Sequence, residues 1–481
     1  MLEWAGHEYA VPYLQHPLRG SNSNYRIVLL RILVIVGSRM TQISLPGINL
    51  VRLRSWGTRG GMAVLDQGIF SGSNFVLNIL LARWLAPAEY GAFAVAFTVF
   101  LFLSGFHSAI LLEPMSVIGP ANYTDRMSAY LDRQIRLHFA LTIPAGLLTA
   151  ATGAALLAAR VGDEWLAQAL VGAGLALPFM LFLWTVRRMF YVVQRQAGAL
   201  ISSTAYLLIL FPGIWLLHKQ QAESSLTGFA LMGFASALAS LLTLVWRKLG
   251  SRKAPEVVPM REVWGAHWGY GKWALAAAFL SLAYGQVQIF FTASMVSLEA
   301  AGVLRAMQNF MLPMLQAVIA ISLIGLPALS YDYGRGELRS LRRKGLFLTM
   351  ALTGIAIVYE LITWPLASSL EHLVYGGKYS AYAGLIAPLG LIPIFAALAA
   401  GFSLILRSIQ KPKSILISGI VTGIAGVASS VLFIKIWGVA GGVASLVFAY
   451  LASFLVAGYL YRAWFPSKEP TGFGNDRMEK G

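Results

Sequence analysis

The sequence predicts an all-α fold: a polytopic membrane protein with twelve transmembrane helices in two pseudo-symmetric six-helix halves. Three observations predict it. The composition is 57% hydrophobic and only 12% charged, against roughly 25% charged in an ordinary soluble domain. The apolar residues are gathered into runs, and a hydrocarbon layer about 30 Å thick takes roughly 20 of them per helical crossing. Between the runs, loops rich in Lys and Arg alternate with loops nearly free of them, as the positive-inside bias requires.

The first six runs cover 62–84, 90–112, 137–159, 165–186, 197–217 and 226–246, the first two joined by the tight turn Leu85-Ala-Pro-Ala-Glu. A basic linker at 247–264, with Arg247, Lys248, Arg252, Lys253 and Arg261, separates them from a second set. That set covers 273–296, 302–329, 346–367, 381–406, 415–434 and 438–461. The expected organisation is a lobe over 62–246, a second lobe over 265–461 and a tail at 462–481. Basic residues crowd the loops after the even-numbered runs: Arg126, Arg133 and Arg136; Arg187, Arg188 and Arg195; Arg335, Arg339, Arg342, Arg343 and Lys344; Arg407, Lys411 and Lys413. These loops are therefore expected in the cytoplasm with both termini. Two halves with an even number of crossings enter the membrane in the same direction, so a pseudo-two-fold along the membrane normal can relate them. A faint repeat agrees, Glu89-Tyr-Gly91 at the start of the second run matching Glu299-Ala-Ala-Gly302 at the start of the eighth.

Residues 1–61 are expected to be a cytoplasmic segment. The apolar stretch 27–36 is interrupted by Arg31, is too short to span, and lacks a small-residue cleavage site after it. A translation start at Met40, with Arg52, Arg54 and Arg59 leading into the first span, is the expectation. Residues 121–136 read as a short amphipathic helix in the cytoplasmic interface.

Several function classes drop out early. The formal charge of +17 is spread over short loops, which orients a membrane protein and forms no nucleic-acid module. Cysteine is absent, so disulfides, thiolate metal sites and cysteine nucleophiles are excluded. No phosphate-binding Gly-rich loop, nucleophile elbow or His/Asp/Glu metal cluster is present, so no cofactor and no metal are expected and the chain does not read as an enzyme.

Polar groups inside apolar spans are costly and should face the bundle interior or a wet cavity. The first span carries Asp66, Gln67, Ser71, Ser73, Asn74 and Asn78; the second His107; the seventh Tyr284, Gln286 and Gln288; the eighth Arg305, Gln308, Asn309 and Gln316. The remaining spans are nearly clean, with Glu360 the main exception. A water-accessible cavity between the halves is therefore expected. Each residue also has a plainer reading. Asn74 and Asn78 can bond helix to helix, Asp66 can pair with Lys272 or Arg59, and Arg305 can snorkel. His107 reads more readily as structural than as a proton carrier. Proline within or at the ends of many spans favours bent helices suited to a rocking transporter.

Around the first two spans the wording becomes specific: Arg59-Gly-Gly-Met-Ala-Val-Leu-Asp-Gln-Gly-Ile-Phe, then Asn74-Phe-Val-Leu-Asn-Ile-Leu-Leu-Ala-Arg-Trp-Leu-Ala-Pro-Ala-Glu-Tyr-Gly. This resembles the start of the Wzx-type polysaccharide-biosynthesis membrane proteins, in the multidrug/oligosaccharidyl-lipid/polysaccharide (MOP) flippase superfamily. The resemblance implies a bacterial inner-membrane flippase that moves a polyprenyl-diphosphate-linked oligosaccharide across the membrane by alternating access, for surface polysaccharide or lipopolysaccharide biosynthesis. It implies a polymerase and glycosyltransferases as partners alongside membrane lipids, and leaves the coupling ion open. The expected substrate contacts are Arg305 and Lys272 on the diphosphate, and Asn74, Asn78, Gln286 and Gln308 on sugar hydroxyls, with Asp66 the carboxylate of the site. The alternative is a cation-coupled multidrug exporter of the same superfamily with Asp66 as coupling carboxylate. A membrane polymerase or ligase is a third reading, weakened because every outward loop is short.

Overall fold

The computed structural model describes residues 50–123, 125–248, 258–409 and 413–465. Two compact units divide between Thr58 and Arg59; apart from residues 50–58 of α1, every feature below belongs to the second. The readings made for 1–49, the start at Met40 and the cytoplasmic tail at 466–481 lie outside the described residues.

All described secondary structure is helical. In the first half, α1 is Leu50–Trp84 and α2 is Pro87–His107, which passes through a π-helical turn, Ser108–Leu112, into α3, Glu113–Asn122. Then come α4 (Met127–Ala159), α5 (Glu164–Val192), α6 (Gln196–Lys219) and α7 (Ser225–Lys248). The second half holds α8 (Met260–Gly285), α9 (Val287–Met295), α10 (Leu298–Gln308), α11 (Leu312–Gly334) and α12 (Leu338–Thr363). It closes with α13 (Ala367–Tyr375), a 3-10 turn over Ser380–Leu385, α14 (Ile386–Ser408), α15 (Lys413–Trp437) and α16 (Val439–Trp464). Among the described residues, 10 helices are long and apolar enough to cross a membrane. The places of the other two expected crossings, 273–296 and 302–329, are taken by helices that break, α8 to α9 at Gln286 and α10 to α11 after Gln308.

The membrane sorts the side chains. Leu147, Leu148, Leu241, Val245, Phe347, Met350 and Leu361 are exposed apolar residues, which acyl chains tolerate and water does not. Buried positions carry the bonded polar groups, since lipid offers an N–H or C=O nothing to bond with. Helix starts are capped where sequence allows: Asp163 accepts from the Leu166 amide at 3.2 Å and Ser297 from the Ala300 amide at 3.0 Å. One expectation needs correcting. The segment 127–136 is no separate interfacial helix but the first turns of α4, because Tyr130, Leu131 and Leu137 bury against Leu111, Met115 and Met189.

The halves meet along α2 and α10. A Cβ added to Gly91 would lie 1.7 Å from the Leu298 carbonyl oxygen, and one added to Gly302 would lie 2.4 Å from the Pro87 carbonyl oxygen. Pro87 and Leu298 are separated in sequence by the same distance as Gly91 and Gly302, so the two contacts are reciprocal, as a two-fold relation between halves demands. The repeated glycines of the sequence thus touch each other at the pseudo-axis, at the end of the bundle expected to face outward. Lys378 strengthens this end. Its ammonium donates to the carbonyls of Ala82 at 3.1 Å and Arg83 at 2.7 Å, in the last turn of α1, and to that of Leu85 just beyond it. Tyr379 adds a bond to the Ala82 carbonyl at 3.1 Å.

A larger side chain at this contact forces the backbones apart at a cost of about 1–3 kcal/mol. Gly302→Val is therefore expected to open the outer end: in this cysteine-free protein, a reporter made by Asn78→Cys should become reactive towards a membrane-impermeant thiol reagent added outside. Unchanged labelling would mean that the outer end is closed by something else.

Candidate functional site

Between the halves lies a cavity of about 600 Å³. From the first half, α1, α2, α5, α6 and α7 line it; from the second, Gln286, Arg305, Leu312, Pro313 and Gln316. Both helix breaks therefore border it, Gln286 at one and Leu312 at the other. Its wall is aromatic over Phe70, Phe75, Phe97, Phe100, Trp184 and Tyr206, and amide-bearing at Gln67, Asn74, Asn78, Gln286 and Gln316.

Of the seven residues expected to contact substrate, Asn74, Asn78, Gln286 and Arg305 line this one cavity. Asn74 donates to the Phe70 carbonyl at 2.9 Å and accepts from the Tyr206 hydroxyl at 3.0 Å. Asn78 donates to the Asn74 carbonyl and accepts from the Tyr90 hydroxyl, each at 3.3 Å. Both asparagines thus serve helix packing and the cavity wall together. Arg305 is 8% exposed, its guanidinium lies 5.6 Å from the Phe97 ring centroid, and its buried Nε has no partner among the described residues. It turns inward, so the snorkelling reading does not hold. The Oε1 atom of Gln286 is likewise buried and without a partner among them. Such atoms cost free energy unless something bonds them.

Lys272 and Gln308 stand apart. Lys272 is exposed on α8, Gln308 is buried on α10, and neither is among the cavity residues. Asp66 is the clearest departure from expectation. It pairs with neither Lys272 nor Arg59 but with Arg187 of α5, whose Nη2 lies 2.8 Å from Oδ2 and Nε 3.2 Å from Oδ1. Tyr191 donates to Oδ2 at 2.6 Å and Ser203 to Oδ1 at 2.5 Å. The carboxylate is 0% exposed, and the Arg187 guanidinium also stacks on Phe70, 4.0 Å from the ring centroid. Sequence reasoning ended the fourth span at Val186 and placed Arg187 in a cytoplasmic loop. The helix runs on to Val192, and that extra turn brings the arginine back against α1.

Above the cavity a polar chain ties the halves. Tyr90 receives from Asn309 Nδ2 at 3.3 Å while donating to Asn78, and Asn309 also donates to Tyr375 at 3.1 Å, whose own hydroxyl goes to the Ala306 carbonyl at 2.9 Å. Asn309, named in the sequence only as one polar residue among several, proves to be the junction.

The fold has known counterparts. No protein-family model matches the chain, and no curated protein matches it in sequence. Solved structures do match. A multidrug resistance MATE family transporter of the MOP superfamily, in its inward-facing conformation, aligns with a TM-score of 0.69 at 12% identity over 83% of this chain and 97% of that one. The lipid II flippase MurJ, inward closed, aligns with a TM-score of 0.67 at 12% identity over 83% and 87%. A eukaryotic MATE transporter aligns with a TM-score of 0.59 at 17% identity over 85% and 95%.

The Asp66–Arg187 pair makes a prediction. Removing one member of a buried pair leaves an uncompensated charge, at about 3–5 kcal/mol, whereas removing both is far milder. Asp66→Ala should lower the thermal midpoint and the yield of purified protein, and adding Arg187→Met should recover most of the loss. An Asp66→Ala protein as stable as wild type would show that the pair does not hold α1 to α5. The described residues of this chain thus have the two-half helical fold of these membrane transporters.

Proposed function

We propose that the protein is a flippase translocating a polyprenyl-diphosphate-linked oligosaccharide across the bacterial inner membrane, for surface polysaccharide or lipopolysaccharide biosynthesis. One observation carries this reading: among the described residues lining the cavity, Arg305 is the single charged one. A cavity whose only charge is positive favours an anionic cargo. A guanidinium presents a planar fork of donors matched to phosphate oxygens, and here its Nε stands unpartnered. The aromatic and amide walls supply stacking faces and hydrogen bonds, the two contacts a sugar ring takes.

The fold likeness supports a drug exporter equally, since MATE transporters and MurJ align about as well. The exporter reading, however, called on Asp66 as coupling carboxylate, and that group is consumed by Arg187, Tyr191 and Ser203. It offers no free negative charge to a cationic drug. Asn74, Asn78 and Gln286 are the proposed sugar contacts. Gln308 and Lys272 lie outside the cavity in this outer-closed form, and contact with cargo would require the halves to move. The polymerase and glycosyltransferases that supply and consume such a cargo are its proposed functional neighbours.

A charge-assisted hydrogen bond contributes about 1.5–3 kcal/mol, so Arg305→Ala is expected to weaken cargo binding by about ten- to a hundredfold. Cells carrying only this variant, like a deletion strain, are expected to accumulate complete repeat units on the polyprenyl carrier and to lose one surface polymer. Normal surface polysaccharide with new drug sensitivity would instead support the exporter.

A further inference from the structure

Beyond Arg305, the cavity wall is built of amides, aromatic rings and aliphatic side chains. Every cavity residue other than Arg305 falls within 67–82, 90–112, 165–186, 196–217, 225–246, 273–298 or 306–331, and these stretches contain no Asp, Glu, Lys or Arg. Rotating any of them about its helix axis therefore presents no second charge to the cavity. The charges at their margins are engaged elsewhere. Arg187 reaches the wall where its Nη2 donates to Gln67 Oε1 at 3.3 Å, but it is paired with Asp66, and the two charges sum to zero. At the outer end Arg83 donates to the Leu373 carbonyl at 3.4 Å and Glu89 accepts from the Ser225 amide at 2.9 Å. Lys272 is exposed and outside the cavity.

A diphosphate between lipid and sugar carries more negative charge than one guanidinium offsets. The site is thus short of positive charge before any sugar enters it. A carboxylate or phosphate on the saccharide would meet no cation of its own in a space walled by apolar groups, where an unpaired charge is costly.

The polar atoms on offer agree with this. Gln286 Oε1 is buried and has no partner among the described residues. It is an acceptor: it takes the hydrogen of a hydroxyl or an acetamido group and repels a carboxylate, which has only lone pairs to offer. The Gln316 amide, exposed on the same wall, both donates and accepts, as a sugar hydroxyl does. Around these amides stand Phe70, Phe75, Phe97, Phe100 and Trp184, whose rings pack against the C–H face of a pyranose or the methyl group of a deoxy or N-acetyl sugar.

We infer that the saccharide this cavity carries is neutral. Hexoses, deoxyhexoses and N-acetylhexosamines are admitted, and uronic acids and sugars bearing phosphate or carboxyl substituents are rejected by the cavity itself. Arg305 is committed to the diphosphate, and Gln286 is a specificity-determining acceptor for a sugar hydroxyl. This rests on the flippase reading above and narrows the chemical class of its cargo.

The test measures equilibrium binding to the full chain in lipid nanodiscs of two probes that differ at a single carbon, undecaprenyl-diphosphate-glucose and undecaprenyl-diphosphate-glucuronic acid. Wild type is expected to bind the uronic acid about a hundredfold more weakly, the effect of one charge left without a partner. Gln316→Lys sets an ammonium on the wall and should narrow that ratio by about tenfold, while its binding of the glucose probe reports that the variant is folded. Uronic acid held by wild type as tightly as glucose overturns the inference and leaves the flippase reading standing. A wild-type preference that Gln316→Lys does not change also overturns it, because the discrimination then has a source other than charge. If neither probe binds, the cargo assignment has failed and takes the inference with it; both probes share the diphosphate, so that outcome is distinct from rejection of one sugar.

Discussion

In a bilayer core a polar atom has only the protein to bond with, and the rest of this structure follows from how that demand is met. The first half meets much of it internally. Asp66 is surrounded by three donor side chains, Glu89 receives the Ser225 amide that opens α7 at 2.9 Å, and the threonines of α4 and α5 return their hydroxyl protons to the preceding turn. Several buried side-chain atoms have no partner among the described residues, Arg305 Nε and Gln286 Oε1 among them. Both of these residues line the cavity.

Helix breaks serve the same demand. A continuous helix satisfies its own backbone and offers nothing to a ligand. Where α8 gives way to α9 and α10 to α11, side chains such as Gln286 turn toward the space between the halves. The two breaks occur in the seventh and eighth crossings expected from sequence, the very pair richest in amides in the second half.

The architecture was legible because its signals are collective. Ten of the twelve apolar runs correspond to helices long and apolar enough to cross a membrane among the described residues, since burial in lipid is read from whole windows and tolerates single errors. The glycine repeat was legible for the opposite reason: only a missing Cβ permits the contact of Gly91 with Leu298. What sequence could not supply was pairing. Arg187 looked like a loop cation because the apolar window ends at Val186, and one further helical turn carried it to Asp66. Lys272 and Arg305 are both basic residues near polar spans, yet only the second faces the cavity, a difference of rotation about a helix axis that composition does not record. His138 drew no notice at all, being one polar residue in an otherwise clean span; its ring lies 3.0 Å from that of His107, which is remote in the chain and adjacent in space.

The contact at the pseudo-axis has a mechanical consequence. Most helix interfaces are made of side chains, which yield by turning about their χ angles and so let two helices slide a little before they part. At Gly91 and Gly302 the touching atoms are carbonyl oxygens and α-carbons, and a main chain locked in helix has no such slack. The joint is stiff. It cannot creep open under a partial load, and it gives way only when the whole seam separates. A seam with this compliance has two positions, shut and parted, and little between them.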